Sequence, residues 1–306
     1  MSEGPPPEIE ALLQQRAAAR AEHDWDRADA LRDRMRELGW EAVDSRARSV
    51  ARPLLTGATT AAGYADDADL ASILEEEAEV ACSLVVVVDD YPADLARTIA
   101  ALERNPQGVE HELVVVANAP GGEVPDLGEA TILTLRERVG WADAVNLGLR
   151  RCRGEIVVLL DTSVEPDGPF LRPLLAAFED ARVGLAGPWG VTSADGREFE
   201  EAPAGEVDAI EGYCLALRRA ALRAVGGFDH RFRFYRNADL DLSFAVRAEG
   251  WTAVRTGPLP LTRHEHRGWS AQDDAERDRL SRRNFYRFLK HWGDRRDLLL
   301  HPAPRE

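Results

Sequence analysis

Near the start of the chain, apolar positions recur at helical spacing. Ile9, Leu12 and Leu13 mark one face, and Trp25, Ala28, Leu31, Met35 and Leu38 mark another, so Pro7 to Asp44 reads as two helices. Asp24 suits an N-cap and Gly39 a C-terminal stop, and a joint near His23 predicts a helical hairpin over residues 1–45. Ser45 to Gly63 is small, polar and without periodicity, as expected of a linker. Asp66 to Glu79 is acidic and is expected to form a helix, so residues 46–80 read as a linker with an acidic helix.

From Ser83 the pattern changes to alternating strands and helices. Leu84–Val88 is a continuous apolar run, β-branched after Leu84, as in a strand buried on both faces. A helix follows from Pro92 to Asn105, with Leu95, Ile99 and Leu102 on one face. Leu113–Val116, Thr131–Leu135 and Glu155–Leu160 are further strands, with a helix over Trp141–Cys152. This alternation predicts a mostly parallel sheet flanked by helices. After Gly187 it breaks down. Tyr213–Leu217 and Thr252–Arg255 read as strands, and Arg218–Val225, Asn237–Glu249 and Asp274–Trp292 as helices. The second half is therefore mixed. Residues 81–293 form one α/β domain, and residues 294–306 a tail.

The totals narrow the function. Hydrophobic residues make up 44% of the 306, enough for a core, and the formal net charge of −16 argues against broad binding to nucleic acid or anionic membrane. Cys82, Cys152 and Cys214 are far apart, so a disulfide framework is not expected. No apolar run approaches the roughly 20 residues needed to span a bilayer, and the first residues lack signal-peptide features. The expected location is cytoplasmic, with peripheral membrane attachment left open.

Three strand ends carry the candidate chemistry. Leu84–Val88 ends in Asp89 and Asp90, Val114–Val116 in Ala117 and Asn118, and Ile156–Leu160 in Asp161. Ligands of open α/β sheets bind outside the carboxyl ends of strands.

In these segments the chain resembles the inverting family 2 glycosyltransferases of GT-A fold. The resemblance runs over residues 83–293. It is carried by Ser83–Tyr91, Glu112–Asn118, Gly140–Gly148, Gly154–Ser163, Gly212–Arg219, Gly226-Gly227-Phe228-Asp229, Ala238–Leu242 and His266–Ser270 in that order. It implies transfer of a sugar from a nucleoside-diphosphate donor to an acceptor hydroxyl with inversion. It also implies a divalent metal, manganese or magnesium, at the diphosphate. Asp89, Asp90, Asn118, Asp161 and Ser163 are then the donor-binding positions, and Asp239 the general base.

Departures from the family pattern shape the expectation. Ser163 stands where a second metal-binding carboxylate is usual, and a neutral hydroxyl is a poorer ligand for a hard cation. Asp161 and His266 are the remaining metal candidates. Ala117 and Ala238 replace residues that are usually acidic. Asp241 lies about 200° around the helix from Asp239, so the two should face apart and Asp241 should act in support. Arg267 is expected to support the donor site from a loop that also carries Arg263, His264 and His266. These departures keep open a nucleotide-sugar-binding or scaffold protein with weak or lost activity.

The N-terminal hairpin resembles the C-terminal helical extension of cysteinyl-tRNA synthetases, through Arg16–Arg20, Asp26–Asp33 and Leu38-Gly39. A protein or RNA partner through residues 1–45 is the implied role, with protein favoured because acidic residues match the arginines in number.

Overall fold

The computed structural model describes residues 6–21, 24–38, 40–44, 49–53, 63–118, 127 and 129–304. The chain divides into two compact units, Met1–Ala61 and Ala62–Glu306.

In the first unit, α1 (Pro7–Ala21) packs against α2 (Trp25–Glu37), and Ile9, Ala19, Ala28 and Met35 are buried. Asp24 caps α2 as expected, its Oδ1 accepting the Arg27 N–H at 3.1 Å. The expected stop at Gly39 and the joint at His23 lie outside the described residues. The helical reading to residue 45 runs too far. Trp40–Asp44 is a strand, β1, paired antiparallel with β2 (Ser49–Pro53), in a stretch read as linker. Two five-residue strands are too short to show a period against their polar neighbours.

The second unit is built on an eight-stranded sheet. Its first half comprises β3 (Val80–Val88), α3 (Pro92–Arg104), β4 (His111–Ala117), β5 (Thr131–Thr134), α4 (Trp141–Arg150), β6 (Gly154–Leu160) and β7 (Val164–Pro166). Then come α5 (Leu171–Leu175), β8 (Val183–Gly187), β9 (Gly190–Thr192), β10 (Glu200–Glu201), β11 (Gly205–Val207), β12 (Ala209–Ile210), β13 (Cys214–Arg218) and α6 (Arg219–Val225). The chain ends with α7 (Ala238–Ala248), β14 (Thr252–Arg255), β15 (Leu261–Arg263), α8 (Arg267–Ser270) and α9 (Asp274–Trp292). The strand order is β11-β14-β8-β13-β6-β3-β4-β5. Pairing is parallel from β6 through β5, and β13 runs antiparallel to both its neighbours.

The valine run of β3 is buried on both faces. Val85 joins one core layer with Val114, Val116 and Leu147, while Leu84, Val86 and Val88 join the other with Leu95 and Val115. Gly148 lets α4 lie close to the sheet, since a Cβ there would come within 2.8 Å of Val85 and 2.9 Å of Val116. Asn146 of the same helix brackets Phe228, accepting its N–H at 2.9 Å and donating to its carbonyl at 2.8 Å. The Gly226–Asp229 motif is thereby fixed against α4.

Asp66 to Glu79 does not form the expected helix. A short 3-10 turn covers Asp67–Asp69, and the rest is irregular. Arg219 explains this. Its guanidinium donates to the carbonyls of Ile73 (2.5 Å), Leu74 (3.1 Å), Glu76 (3.1 Å), Cys152 (2.7 Å) and Gly154 (3.3 Å). In a helix successive residues sit about 100° apart around the axis, so one guanidinium meets the carbonyls of Ile73, Leu74 and Glu76 together only off the helical path.

The topology reverses at β3. From there the chain moves to β4 and β5 on one side and to β6 on the other. The crevice outside the carboxyl ends of β3 and β6 is where such sheets bind ligands.

Candidate active site

That crevice holds two adjoining pockets. Asp89, Asp90, Asn118, Arg138 and Arg233 line the first. Val191, Phe199, Glu211, Tyr213, Arg236 and Asp239 line the second. Trp141, Asp161, Gly212, Tyr235 and His266 line both, so the pockets meet there.

In the first pocket, Asn118 donates Nδ2–H to Asp89 Oδ1 at 2.7 Å, and its own Oδ1 accepts the Val139 N–H at 2.9 Å. Burial raises the Asp89 pKa, against the opposing pull of Asn118 and Arg138. Asp90 receives both terminal nitrogens of Arg138, one at 2.7 Å.

Asp161 follows β6 and faces the junction. Its Oδ1 accepts the Ser163 N–H at 2.8 Å and the Ser163 hydroxyl at 2.5 Å, and its Oδ2 lies 3.5 Å from His266 Nε2. Burial acts to raise its pKa, but His266 and the Ser163 bonds outweigh it, and the carboxyl stays below its ordinary value. Ser163 itself is buried and does not line the cleft; it braces Asp161.

His266 sits on the segment after β15. Its ring stacks on Tyr235, with centroids 4.2 Å apart and planes 21° from parallel. Nδ1 accepts the Trp269 N–H at 3.2 Å, which leaves the proton of the neutral ring on Nε2, toward Asp161. Burial would lower the His266 pKa, yet the hydrogen bond and charge of Asp161 raise it overall. Arg267 is turned away from the pockets. It bonds Asp94 through Nε at 2.8 Å and Nη2 at 2.5 Å and lies over the Tyr91 ring, tying this segment to α3.

Asp239 is in the first turn of α7. Its Oδ2 accepts the Gly212 N–H at 2.8 Å, and Oδ1 the Leu240 N–H at 3.0 Å. Burial raises its pKa despite these bonds and the nearby Arg236. Glu211, in the same pocket, is also raised, by burial and then by the Asp239 charge. Asp241 faces the other way and accepts Trp292 Nε1–H at 2.8 Å, with His291 Nδ1 at 3.3 Å. Asn237 precedes the helix in left-handed backbone (φ 63°), and its side chain donates to Ser281 O at 3.3 Å rather than capping α7.

Glu211, Arg233, Tyr235 and Arg236 also line the cleft, and the sequence reading missed them. Glu211 directly precedes the Gly212–Arg219 segment that carries part of the resemblance, which was its available signal. The other three lie in an irregular stretch with no period to read.

A divalent ion at the junction can be tested against these side chains. Asp161 is one carboxylate ligand. His266 would need the opposite tautomer to coordinate through Nε2. The set fits an ion held by Asp161, the donor's phosphate oxygens and water, the usual arrangement for magnesium. Among the described residues, two clusters offer three metal-ligating side chains, Asp67–Asp143–His230 and Asp229–Asp241–His291, and both lie outside the cleft. Each already holds a guanidinium. Arg150 is 2.9 Å from Asp67, and Arg231 bonds both Asp229, at 2.5 Å, and His291, at 2.6 Å.

A reversing mixed sheet with two pockets meeting at the half-buried Asp161 suits the GT-A fold of the glycosyltransferases. Residues 83–242, just over half the chain, match the profile "Glycosyl transferase family 2", and the chain belongs to that family. Residues 2–44 match the profile "Cysteinyl-tRNA ligase anticodon binding domain". A pre-mycofactocin glycosyltransferase of Mycobacterium tuberculosis (strain ATCC 25618 / H37Rv) is 30% identical over 165 residues, 48% of this chain and 33% of its own. An N-acetylglucosaminyl-diphospho-decaprenol L-rhamnosyltransferase of the same strain is 31% identical over 132 residues, 42% of each chain. The matches thus span between a third and under half of these relatives' lengths. GalNAc-T7, solved with UDP, GalNAc and Mn2+, shares the fold at a TM-score of 0.57 and 14% identity, over 71% of this chain and 49% of its own. No helix among the described residues is long and apolar enough to cross a membrane.

Proposed function

We propose that the second unit transfers a sugar from a nucleoside-diphosphate donor to an acceptor hydroxyl, with inversion at the anomeric carbon. The observation that carries this is the junction of the two pockets, with Asp161 on the donor side and Asp239 on the acceptor side. The nucleotide lies in the first pocket, over Asp89 and Asn118. Its diphosphate lies toward Asp161. A divalent ion, manganese or magnesium, held by Asp161 would offset the charge of the diphosphate.

Asp239 takes the proton of the acceptor hydroxyl. The oxygen so freed forms a bond to the anomeric carbon from the face opposite the leaving group. The bond from that carbon to the phosphate oxygen breaks, and its electron pair leaves with the diphosphate. A raised pKa strengthens Asp239 as a base, and the Gly212 N–H keeps the carboxylate aimed. Tyr235 and Trp141 wall the point where the sugar changes hands, and their rings limit water there. Incubation with a panel of nucleotide sugars, with and without manganese, tests the reading. Absence of both nucleotide binding and donor hydrolysis in every condition refutes it. Nucleotide binding without turnover, unchanged in Asp239→Asn, favours the scaffold alternative instead.

The N-terminal unit is proposed as a partner-binding appendage. Its likeness to an anticodon-binding domain supports an RNA contact. Nine arginines against eleven acidic residues over positions 1–61 weigh toward protein. A gel shift with transfer RNA separates the two.

A further inference from the structure

The geometry points to Arg233 as a diphosphate-binding residue that supplies part of the positive charge the leaving group needs, so that the donor nucleotide binds without a divalent ion. This rests on the donor reading of the first pocket.

Most cationic side chains around the cleft are already engaged. Arg138 closes on Asp90, Arg267 on Asp94, and Arg263 lies 3.7 Å from Glu211 and over the rings of Trp189 and Tyr213. Arg236 rests on the face of Trp269, 4.8 Å from its centroid, in the second pocket. Arg233 lines the first pocket together with Asp161 and His266, and its guanidinium has no carboxylate or hydrogen-bond partner among the described residues.

The stem of Arg233 is seated. Its carbonyl accepts the Trp141 N–H at 3.1 Å, and the neighbouring Phe232 carbonyl accepts the Ala142 N–H at 3.2 Å. Gly140 leaves the room for this, because a Cβ there would stand 3.2 Å from both Cα and Cγ of Arg233. The backbone is thus pinned to the start of α4 while the charged end remains available to the pocket. A nucleotide that places its base and ribose by Asp89 and Asn118 must run its phosphates toward Asp161 and His266, along the wall that Arg233 supplies.

The charge balance calls for such a group. The diphosphate gains a negative charge as the glycosidic bond breaks. Asp161 adds another, and the position two residues on holds a serine turned inward, so the protein grips an ion here with few charged oxygens. A guanidinium fork binds phosphate oxygens in pairs and needs no ion to do so.

The test measures binding of UDP, GDP, UMP and GMP by calorimetry, in EDTA and in manganese, for the parent, Arg233→Ala and Arg233→Lys proteins. Arg233 is exposed, so the variants should fold, and circular dichroism checks this. The parent is expected to bind a diphosphate in EDTA. Arg233→Ala should weaken it by about ten- to a hundred-fold while leaving the corresponding monophosphate within about twofold, and Arg233→Lys should restore part. Equal losses for mono- and diphosphate, or no loss for either, overturn the assignment while leaving the donor site standing. Failure of the parent to bind any of the four with manganese present overturns the donor reading and this inference together.

Discussion

The Ser163 hydroxyl donates to Asp161 Oδ1 at 2.5 Å, and the Ser163 N–H reaches the same oxygen at 2.8 Å. The residue that replaces a second carboxylate therefore serves the first one. Ser163→Asp would set two carboxylates side by side in a buried place. Without metal it should lose about 1–3 kcal/mol of stability through like-charge repulsion and burial. Manganese should return part of that loss by binding the pair. Thermal melts in EDTA and in manganese read both effects. If manganese stabilises the variant no more than the parent, position 163 does not reach an ion at Asp161.

Asp239→Asn should reduce turnover by about 10²–10⁴-fold while leaving nucleotide affinity unchanged. The pH dependence follows from the raised pKa. A base must be ionised, so activity falls as pH drops through a value above the ordinary 3.8. For stability the sign is opposite. A raised carboxyl pKa favours the folded protein when protonated, and that favour is lost as pH rises through the folded value. At neutral pH the parent carries the burial cost of the charge and the asparagine variant does not. Asparagine also turns an amide N–H toward the Gly212 or Leu240 N–H, a cost that does not change with pH, so the melting point of the variant relative to the parent should rise from acid pH to pH 7. A relative melting point that stays flat or falls over that range would contradict the raised pKa.

Asp241→Ala should act on stability alone. It removes the acceptor of the Trp292 indole N–H and should cost about 1–3 kcal/mol by urea unfolding. Turnover per folded molecule should change far less than in Asp239→Asn. A comparable loss of turnover would mean that the two aspartates act on the same cleft.

The three thiols should be silent in the native protein. Cys82, Cys152 and Cys214 are buried, and burial pushes the Cys82 pKa up to about 12 and raises the other two as well. A colorimetric thiol reagent at pH 8 should label none of them until denaturant is added, and then all three. Labelling without denaturant would reveal local opening of β3, β13 or the turn after α4.

The parallel half of the sheet was legible because its signals are strong. Val85 to Val88 could hardly be anything but a buried strand. The start of β3 was not legible, because Ala81, Cys82 and Ser83 are small and Ser83 spends its hydroxyl on the buried Glu112 at 2.6 Å. Asp89, Asn118 and Asp161 stood out as polar residues at strand ends and Asp239 through the family resemblance, and all four line the cleft. The loop from Phe232 to Asn237 was hidden. Its path depends on a left-handed Asn237 and on carbonyls lent to α4, and neither leaves a period in the sequence. The inward turn of Ser163 was equally hidden, since spacing alone does not say which way a side chain points.

Arg219 has a consequence for how this chain can vary and be shortened. It is a buried cation whose acceptors are main-chain carbonyls, three of them from Ile73, Leu74 and Glu76. Any amino acid supplies a carbonyl, so this hold on the path does not depend on which side chains the stretch carries, while Leu74 is fixed separately by its place in the core. Position 219 has no such freedom, because lysine lacks the planar fork that reaches several oxygens at once. A recombinant fragment begun at β3 would leave this guanidinium only the carbonyls of Cys152 and Gly154, whereas a cut between Ala61 and Ala62 would carry the stretch along.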